Sequence, residues 1–350
     1  MIFERRLLTE SRGAGLVSKL WRVPWLFVLL LSGVAAIGYV ALWTAGSGNV
    51  DAYAQKHALR FGFCLVIMLS IAFIDIRLIL RFAWLGYAVA LGLLVLVLFH
   101  GNVGKGAQRW IDIGPVQLQP SELMKIMLAL GLAAWFHRAS WERMGNPLFL
   151  IPPALMVLLP VGLILKQPNL GTALITAMIG AAVFWAAGMR WWKFALMAGA
   201  AAIAAPIAYE NLRDYQRARI TTFLDPESDP LGAGYNIIQA KIALGSGGWA
   251  GKGFMQGTQS RLNFLPEKHT DFIFTTLAEE FGFVGAFSLL VLYALILIFL
   301  IVAAIQNRDR FSQLLIIGVA VNFFLYLAIN LAMVMGMAPV VGVPLPLLSY

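Results

Sequence analysis

The sequence predicts an all-α fold, a polytopic membrane helix bundle of about nine spans that runs through residues 1–350 as one integral membrane domain. Three observations carry that expectation. Of the 350 residues 60% are hydrophobic, 12% are charged and mean hydropathy is +0.80, whereas a soluble domain carries about 25% charge. Apolar runs long enough to cross a bilayer recur along the whole chain, and the cations of the shorter connections between them are unevenly shared. This composition excludes a soluble globular enzyme, a disordered chain and a nucleic-acid-binding domain.

A hydrocarbon core of about 30 Å needs about 20 mostly apolar residues in a helix. The basic N-terminal stretch is too long for a cleavable signal, and the first apolar run flows directly into more of the same. In order, the spans fall near Pro24 to Trp43, Leu59 to Ile74, Phe82 to Phe99, Glu122 to Phe136, Pro147 to Leu165, Leu170 to Ala187, Trp191 to Tyr209, Phe281 to Ile305 and Phe311 to Met335. The 26 Lys and Arg against 17 Asp and Glu leave a net charge of +9. With the N-terminus cytoplasmic, 13 cations lie on the inner side and 13 on the outer. Seven of the outer ones belong to the large loop 210–270, which translocates regardless of charge. Discounting them leaves 13 against 6, so the positive side is inside. Twelve of the 17 carboxylates then lie outside, which concentrates the polar chemistry there.

Several motifs fail. The run Gly245 to Gly253 (GSGGWAGKG) lacks the first glycine and the hydroxyl of a phosphate loop. Neither a His-Glu-x-x-His nor a Gly-x-Ser-x-Gly occurs, and the single Cys64 can make neither an internal disulfide nor a metal site. The acids of DPESDP, Asp225 to Pro230, are explained by turns.

Two outer segments do carry chemistry. In GAQRWIDIGPVQLQPSELMK (Gly106 to Lys125), Arg109 and Trp110 suit an interfacial anchor and Ser121 is expected to cap a helix. Glu122 and Lys125, at i and i+3, project from one face of its first turn, as an interfacial ion pair or as a site. In the long loop, Tyr235, Ile238 and Ile242 fit a short surface helix. In FLPEKHTDFIFTTLAEEFGFVG, Thr270 is expected to cap a helix whose first residue is Asp271, with Glu279 and Glu280 deeper in the bilayer. Carboxylates at membrane depth are costly and mark function, although the helix dipole alone also favours an acid at the Asp271 position.

On these residues the sequence resembles the SEDS family of bacterial cell-wall polymerases (shape, elongation, division and sporulation), within it the RodA branch. The likeness rests on GAQRWIDIGPVQLQPSELMK, KQPNLGTAL (Lys166 to Leu174), FLDPESDPLGAGYNIIQAKIALGSGG, TQSRLNFLPEKHTDFIFTTLAEEFG and MAPVVGVPLPLLSY (Met337 to Tyr350). The stretch Thr258 to Phe274 looks like RodA rather than its division relative FtsW. The resemblance implies a glycosyltransferase that polymerises lipid II during cell elongation, at the outer face of the bacterial cytoplasmic (inner) membrane, and releases undecaprenyl pyrophosphate. It places the family's catalytic acid on Asp271, with His269 in the same motif, and its lipid-substrate cavity on Glu122 and Lys125. It also implies a class B penicillin-binding protein transpeptidase and the elongation machinery as partners. Two departures stand out: Asn169 occupies a site often held by Asp, and the family's ten helices are nine here, relatives continuing past Tyr350.

Such a reaction needs a base for the incoming hydroxyl and cations for the departing diphosphate. Asp271 suits the first role; Lys125, then Arg109, Arg219, Lys241, Lys252 and Lys268, suit the second. A divalent cation such as Mg2+ would need oxygen ligands, and no dedicated cage is visible in the sequence. Polyprenyl tails and membrane lipids require a groove between helices. The competing readings are a lipid-linked precursor flippase, for which no internal repeat is visible, and a scaffold that assists a partner enzyme.

Overall fold

The computed structural model describes residues 21, 23–104, 107–113, 116–210, 214–229, 232–262, 264–265 and 267–350. The nine apolar stretches are all helical within them: α1 (Trp25–Ala45), α2 (Ala54–Ala72), α3 (Ile76–His100), α4 (Pro120–Phe136), α6 (Pro147–Lys166), α7 (Leu170–Ala186), α8 (Trp191–Glu210), α12 (Ile273–Gln306) and α13 (Arg310–Val334). Among the described residues six of them, α1, α2, α3, α6, α12 and α13, are long and apolar enough to cross a membrane, and α4 and α7 are 17 residues each.

Short polar side chains set where the helices begin. Asp75 accepts from the Arg77 amide at 2.9 Å, so α3 starts at Ile76 rather than at the expected Phe82. Asn146 caps α6 and Asp309 caps α13, each through a 3.0 Å bond to a first-turn amide. Asn169 caps α7, a use of this residue that needs no negative charge. Ser121 does not cap α4, because Pro120 already occupies the first helical position, for which its fixed φ is suited.

Between α3 and α4 the chain forms a three-stranded antiparallel sheet, β1 (Asn102–Gly104), β2 (Ala107–Ile113) and β3 (Val116–Leu118), in the order β1-β2-β3. In its described residues the segment 210–270 is structured as well. It holds α9 (Asp214–Leu224), a 3-10 turn over Pro226–Ser228, α10 (Ala233–Ser246) and α11 (Thr258–Arg261). A further short helix, α5 (Trp141–Gly145), joins α4 to α6. In α10 the buried stripe is Ile237, Ala240 and Ala243, while Tyr235, Ile238 and Ile242 lie on the more exposed side.

Helices in lipid gain little by hiding apolar surface from each other and associate by close packing over small residues. That rule is visible at Gly318 of α13, where a Cβ would come within 2.7 Å of the Ala129 methyl on α4 and 3.2 Å of Val183 on α7. Gly180 of α7 is pressed in the same way against Val157 of α6. Two large cores result, one joining α1, α12, α13 and the segment 336–350, the other joining α3, α4, α6 and α7. A small third cluster, Ala129, Ile175, Ile179, Leu325 and Val343, lies between them.

Candidate active site

Asp271 lies in a turn two residues ahead of α12. The expected cap at Thr270 does not form: Phe272 stands at the cap position with no side-chain bond, and Thr270 Oγ1 instead donates to Glu267 Oε2 at 2.9 Å. The turn is held by its carbonyls. His269 O accepts from the Tyr350 amide at 3.0 Å, Thr270 O from Ser349 Oγ at 2.7 Å, and Asp271 O from Asn330 Nδ2 at 2.8 Å. Asp271 is half-buried, and its carboxylate faces Gly342, where an added Cβ would lie 3.4 Å from Oδ2. Gly342 has φ +75, a conformation that only glycine adopts at little cost. His269 stacks on Tyr53 at 4.4 Å between ring centroids. Lys268 is buried, and burial pulls its ammonium below the ordinary lysine value.

The second constellation is built on α4 and α13. Lys125 Nζ donates to Glu122 Oε1 at 2.7 Å and to the Tyr326 hydroxyl, which in turn donates to Glu122 Oε2 at 2.5 Å. Lys125 is 1% exposed and Glu122 is 47% exposed, so the accessible member of the trio is the carboxylate. Tyr326 and Asn330 are four residues apart on α13, on one face and about 6 Å apart along the axis. One helix therefore ties the Glu122 and Lys125 pair to the Asp271 turn.

Glu279 and Lys252 do something different. Glu279 Oε1, in a side chain that is 0% exposed, accepts from Lys252 Nζ at 2.7 Å, from the Thr258 amide at 2.8 Å and its hydroxyl at 3.0 Å, and from the Gln259 amide at 3.0 Å. This buried anion fastens the start of the 258–272 segment to α12. The glycine run that failed as a phosphate loop fills a break in the same helix. Gly282 has φ 64 and ψ −161, which interrupts the α12 ladder. The stranded carbonyls of Glu279 and Glu280 accept from the Lys252 and Gly253 amides at 3.0 Å each, and the Phe283 and Val284 amides donate to Gly248 O at 2.8 Å and Trp249 O at 3.1 Å. Irregular backbone inside a membrane protein is tolerated where protein satisfies it. Glycine is needed for the approach, since a Cβ on Gly251 would sit 2.0 Å from Glu280 O.

The remaining candidates divide. Arg219 Nη1 on α9 donates to Val341 O at 3.4 Å, next to Gly342, and Lys241 on α10 crosses Gly336, so both border the terminal segment against which Asp271 rests. Arg109 stands in β2, and its side chain lies outside the described residues. In DPESDP, Gly232 is packed against the Asp229 carboxylate and Asp229 O accepts from the Tyr235 amide at 3.2 Å. Among the described residues no three His, Cys, Asp or Glu side chains converge as a metal site would require. Sequence reasoning missed Tyr326 and Asn330. Their signal was present, as polar side chains four apart inside the apolar ninth stretch.

A bundle of long apolar helices, six of them among the described residues long enough to cross a membrane, defines a multi-pass membrane protein. The chain belongs to the FtsW/RodA/SpoVE family of cell cycle proteins, whose model matches residues 20–350. It is similar to the peptidoglycan glycosyltransferase MrdB of Escherichia coli, 41% identical over 328 residues that cover 92% of this chain and 87% of that protein. It is also similar to the peptidoglycan glycosyltransferase MrdB of Helicobacter pylori, 36% identical over 305 residues, 84% of this chain and 77% of that one. Among solved structures it resembles a chain from a peptidoglycan synthase complex that coordinates polymerization and crosslinking, with a TM-score of 0.81, 33% identity and coverage of 93% and 91%. It also resembles the rod shape determining protein RodA of Thermus thermophilus, with a TM-score of 0.69, 29% identity and coverage of 93% and 89%.

Proposed function

We propose that the chain is a peptidoglycan glycosyltransferase that polymerises lipid II at the outer face of the bacterial inner membrane, with Asp271 as the base. The observation that carries the assignment of the base is the seat of Asp271: a half-buried carboxylate fixed by main-chain bonds on its own turn, with the exposed Arg219 guanidinium on the adjoining Val341 carbonyl. Relatives at 41% and 36% identity bear the matching enzyme name.

In this reading Asp271 accepts the proton of the acceptor sugar hydroxyl as that oxygen bonds to the donor C1. The bond from C1 to the pyrophosphate oxygen breaks, and undecaprenyl pyrophosphate leaves with its negative charge facing Arg219 and Lys241 across the terminal segment. General base catalysis contributes about 10²–10⁴-fold. Lys125 acts through Glu122 rather than on the diphosphate, because it is buried beneath that carboxylate. The likeness to a chain of a synthase complex that couples polymerization to crosslinking supports a transpeptidase as partner during elongation.

The test is polymerisation of lipid II by purified Asp271→Asn, which keeps the shape and removes the base. Polymer formation falls at least about a hundredfold if Asp271 takes the proton. Full activity in that variant refutes the assignment, and movement of headgroups across liposomes without polymer would point to a flippase instead.

A further inference from the structure

Asn330 is 0% exposed near the C-terminal end of the apolar helix α13, where a buried side-chain amide is costly to keep. Its Nδ2 donates to two main-chain carbonyls that are remote in sequence, Asp271 O at 2.8 Å and Val343 O at 2.7 Å. Two carbonyl acceptors settle the orientation of the amide, since only the nitrogen can face them, and both of its N–H groups are then committed. Its Oδ1 accepts no hydrogen bond among the described residues. The residue is therefore present for its donors. One donor fixes the backbone of the proposed base. The other fixes the residue after Gly342, the surface on which the Asp271 carboxylate rests. Asn330 thus joins the two sides of the site, and the hydroxyl and amide of Ser349 and Tyr350 extend the same clasp to the two preceding carbonyls.

We propose that Asn330 is a positioning residue for the glycosyl transfer, one that sets the carboxylate of Asp271 against the Gly342 turn without touching substrate. The inference rests on the reading of Asp271 as the base. A displacement of about 1 Å at a reacting group costs about a hundredfold in rate, and neither substrate's own contacts need change.

The experiment uses the full chain in lipid nanodiscs, with Asp271→Asn, Asn330→Leu, Asn330→Asp and Gly342→Ala assayed side by side for kcat and KM with lipid II and for thermal unfolding. Asn330→Asp keeps the size and loses both donors; Gly342→Ala strains the positive-φ turn on which the same carboxylate rests. The expected result is a kcat per folded molecule about a hundredfold lower in the Asn330 variants and in Gly342→Ala, with KM within about twofold of the parent. A residue that only holds the fold together would lower the folded fraction and leave kcat per folded molecule unchanged, which overturns the proposal. Should the Asn330 variants not fold, Gly342→Ala decides, and a normal kcat there overturns it. Full activity in Asp271→Asn removes the base and the positioning role together, whereas an inactive Asp271→Asn beside normal Asn330 variants removes the positioning role alone.

Discussion

At the scale of single residues, the polar groups of this protein work in pairs and trios rather than as isolated charges. Lys125, Glu122 and Tyr326 are mutually bonded, so each deletion should depend on the others. A double-mutant cycle of Lys125→Met and Tyr326→Phe, read by thermal unfolding, is expected to give a coupling of about 0.5–3 kcal/mol; strict additivity would mean the trio does not act as a unit. Lys268 makes a prediction about pH. Its folded value lies below the ordinary 10.5, so between that lowered value and 10.5 the unfolded chain binds more protons than the folded one. Stability contributed by this group therefore rises with pH through that window. The difference in melting temperature between the parent and Lys268→Met should shift in the parent's favour as pH rises, and a constant difference would contradict the burial. At this scale the sequence exposed Asp271, Glu122 and Lys125, because acids and a lysine at the margins of apolar runs are conspicuous. Tyr326 and Asn330 were hidden, since a single tyrosine or asparagine barely lowers the hydropathy of a long span and the partners that matter, Glu122 and Asp271, lie 204 and 59 positions away.

At the scale of elements, the break in α12 is the feature with the most consequences. Hydropathy placed a span boundary at Phe281, and the backbone breaks at the next residue, Gly282. The fall in hydropathy and the break share a cause: the polar turn ahead of it, with Glu279 and Glu280, must leave the helical ladder to receive the 247–253 segment. Gly282 combines a positive φ with a Cβ that would lie 2.3 Å from the Gly251 nitrogen. Gly282→Ala should cost more than the roughly 1–3 kcal/mol of backbone strain alone, read as a fall in melting temperature in detergent. An unchanged transition would show that the break does not need glycine. Legibility at this scale followed the physics of each element. The start of α3 at Ile76 was hidden, because its cap Asp75 and the charged Arg77 and Arg81 lower the hydropathy of its first turns, whereas long apolar helices as a whole declare themselves by composition. The sheet 102–118 did not, because strands of three residues are set by their pairing rather than by local pattern, and the glycine run could not be understood before its partner in α12 was known.

At the scale of the whole molecule, the bundle has two large cores, one around α12 and one around α4; α13 contributes to both, and the segment 336–350 packs into the first. The Asp271 turn borders the first core and the Glu122 and Lys125 pair the second, and both are bonded to α13, through Asn330 and Tyr326. On the proposed function, the turn held by Asn330 presents Asp271 to a sugar hydroxyl. The most direct measurement is a structure of the protein with a lipid II analogue in the acceptor position. The expected result is the acceptor hydroxyl about 2.6–3.2 Å from an Asp271 carboxylate oxygen, with the diphosphate beside Arg219 and Lys241. An acceptor hydroxyl bound at Glu122, with Asp271 turned away from both sugars, would contradict it.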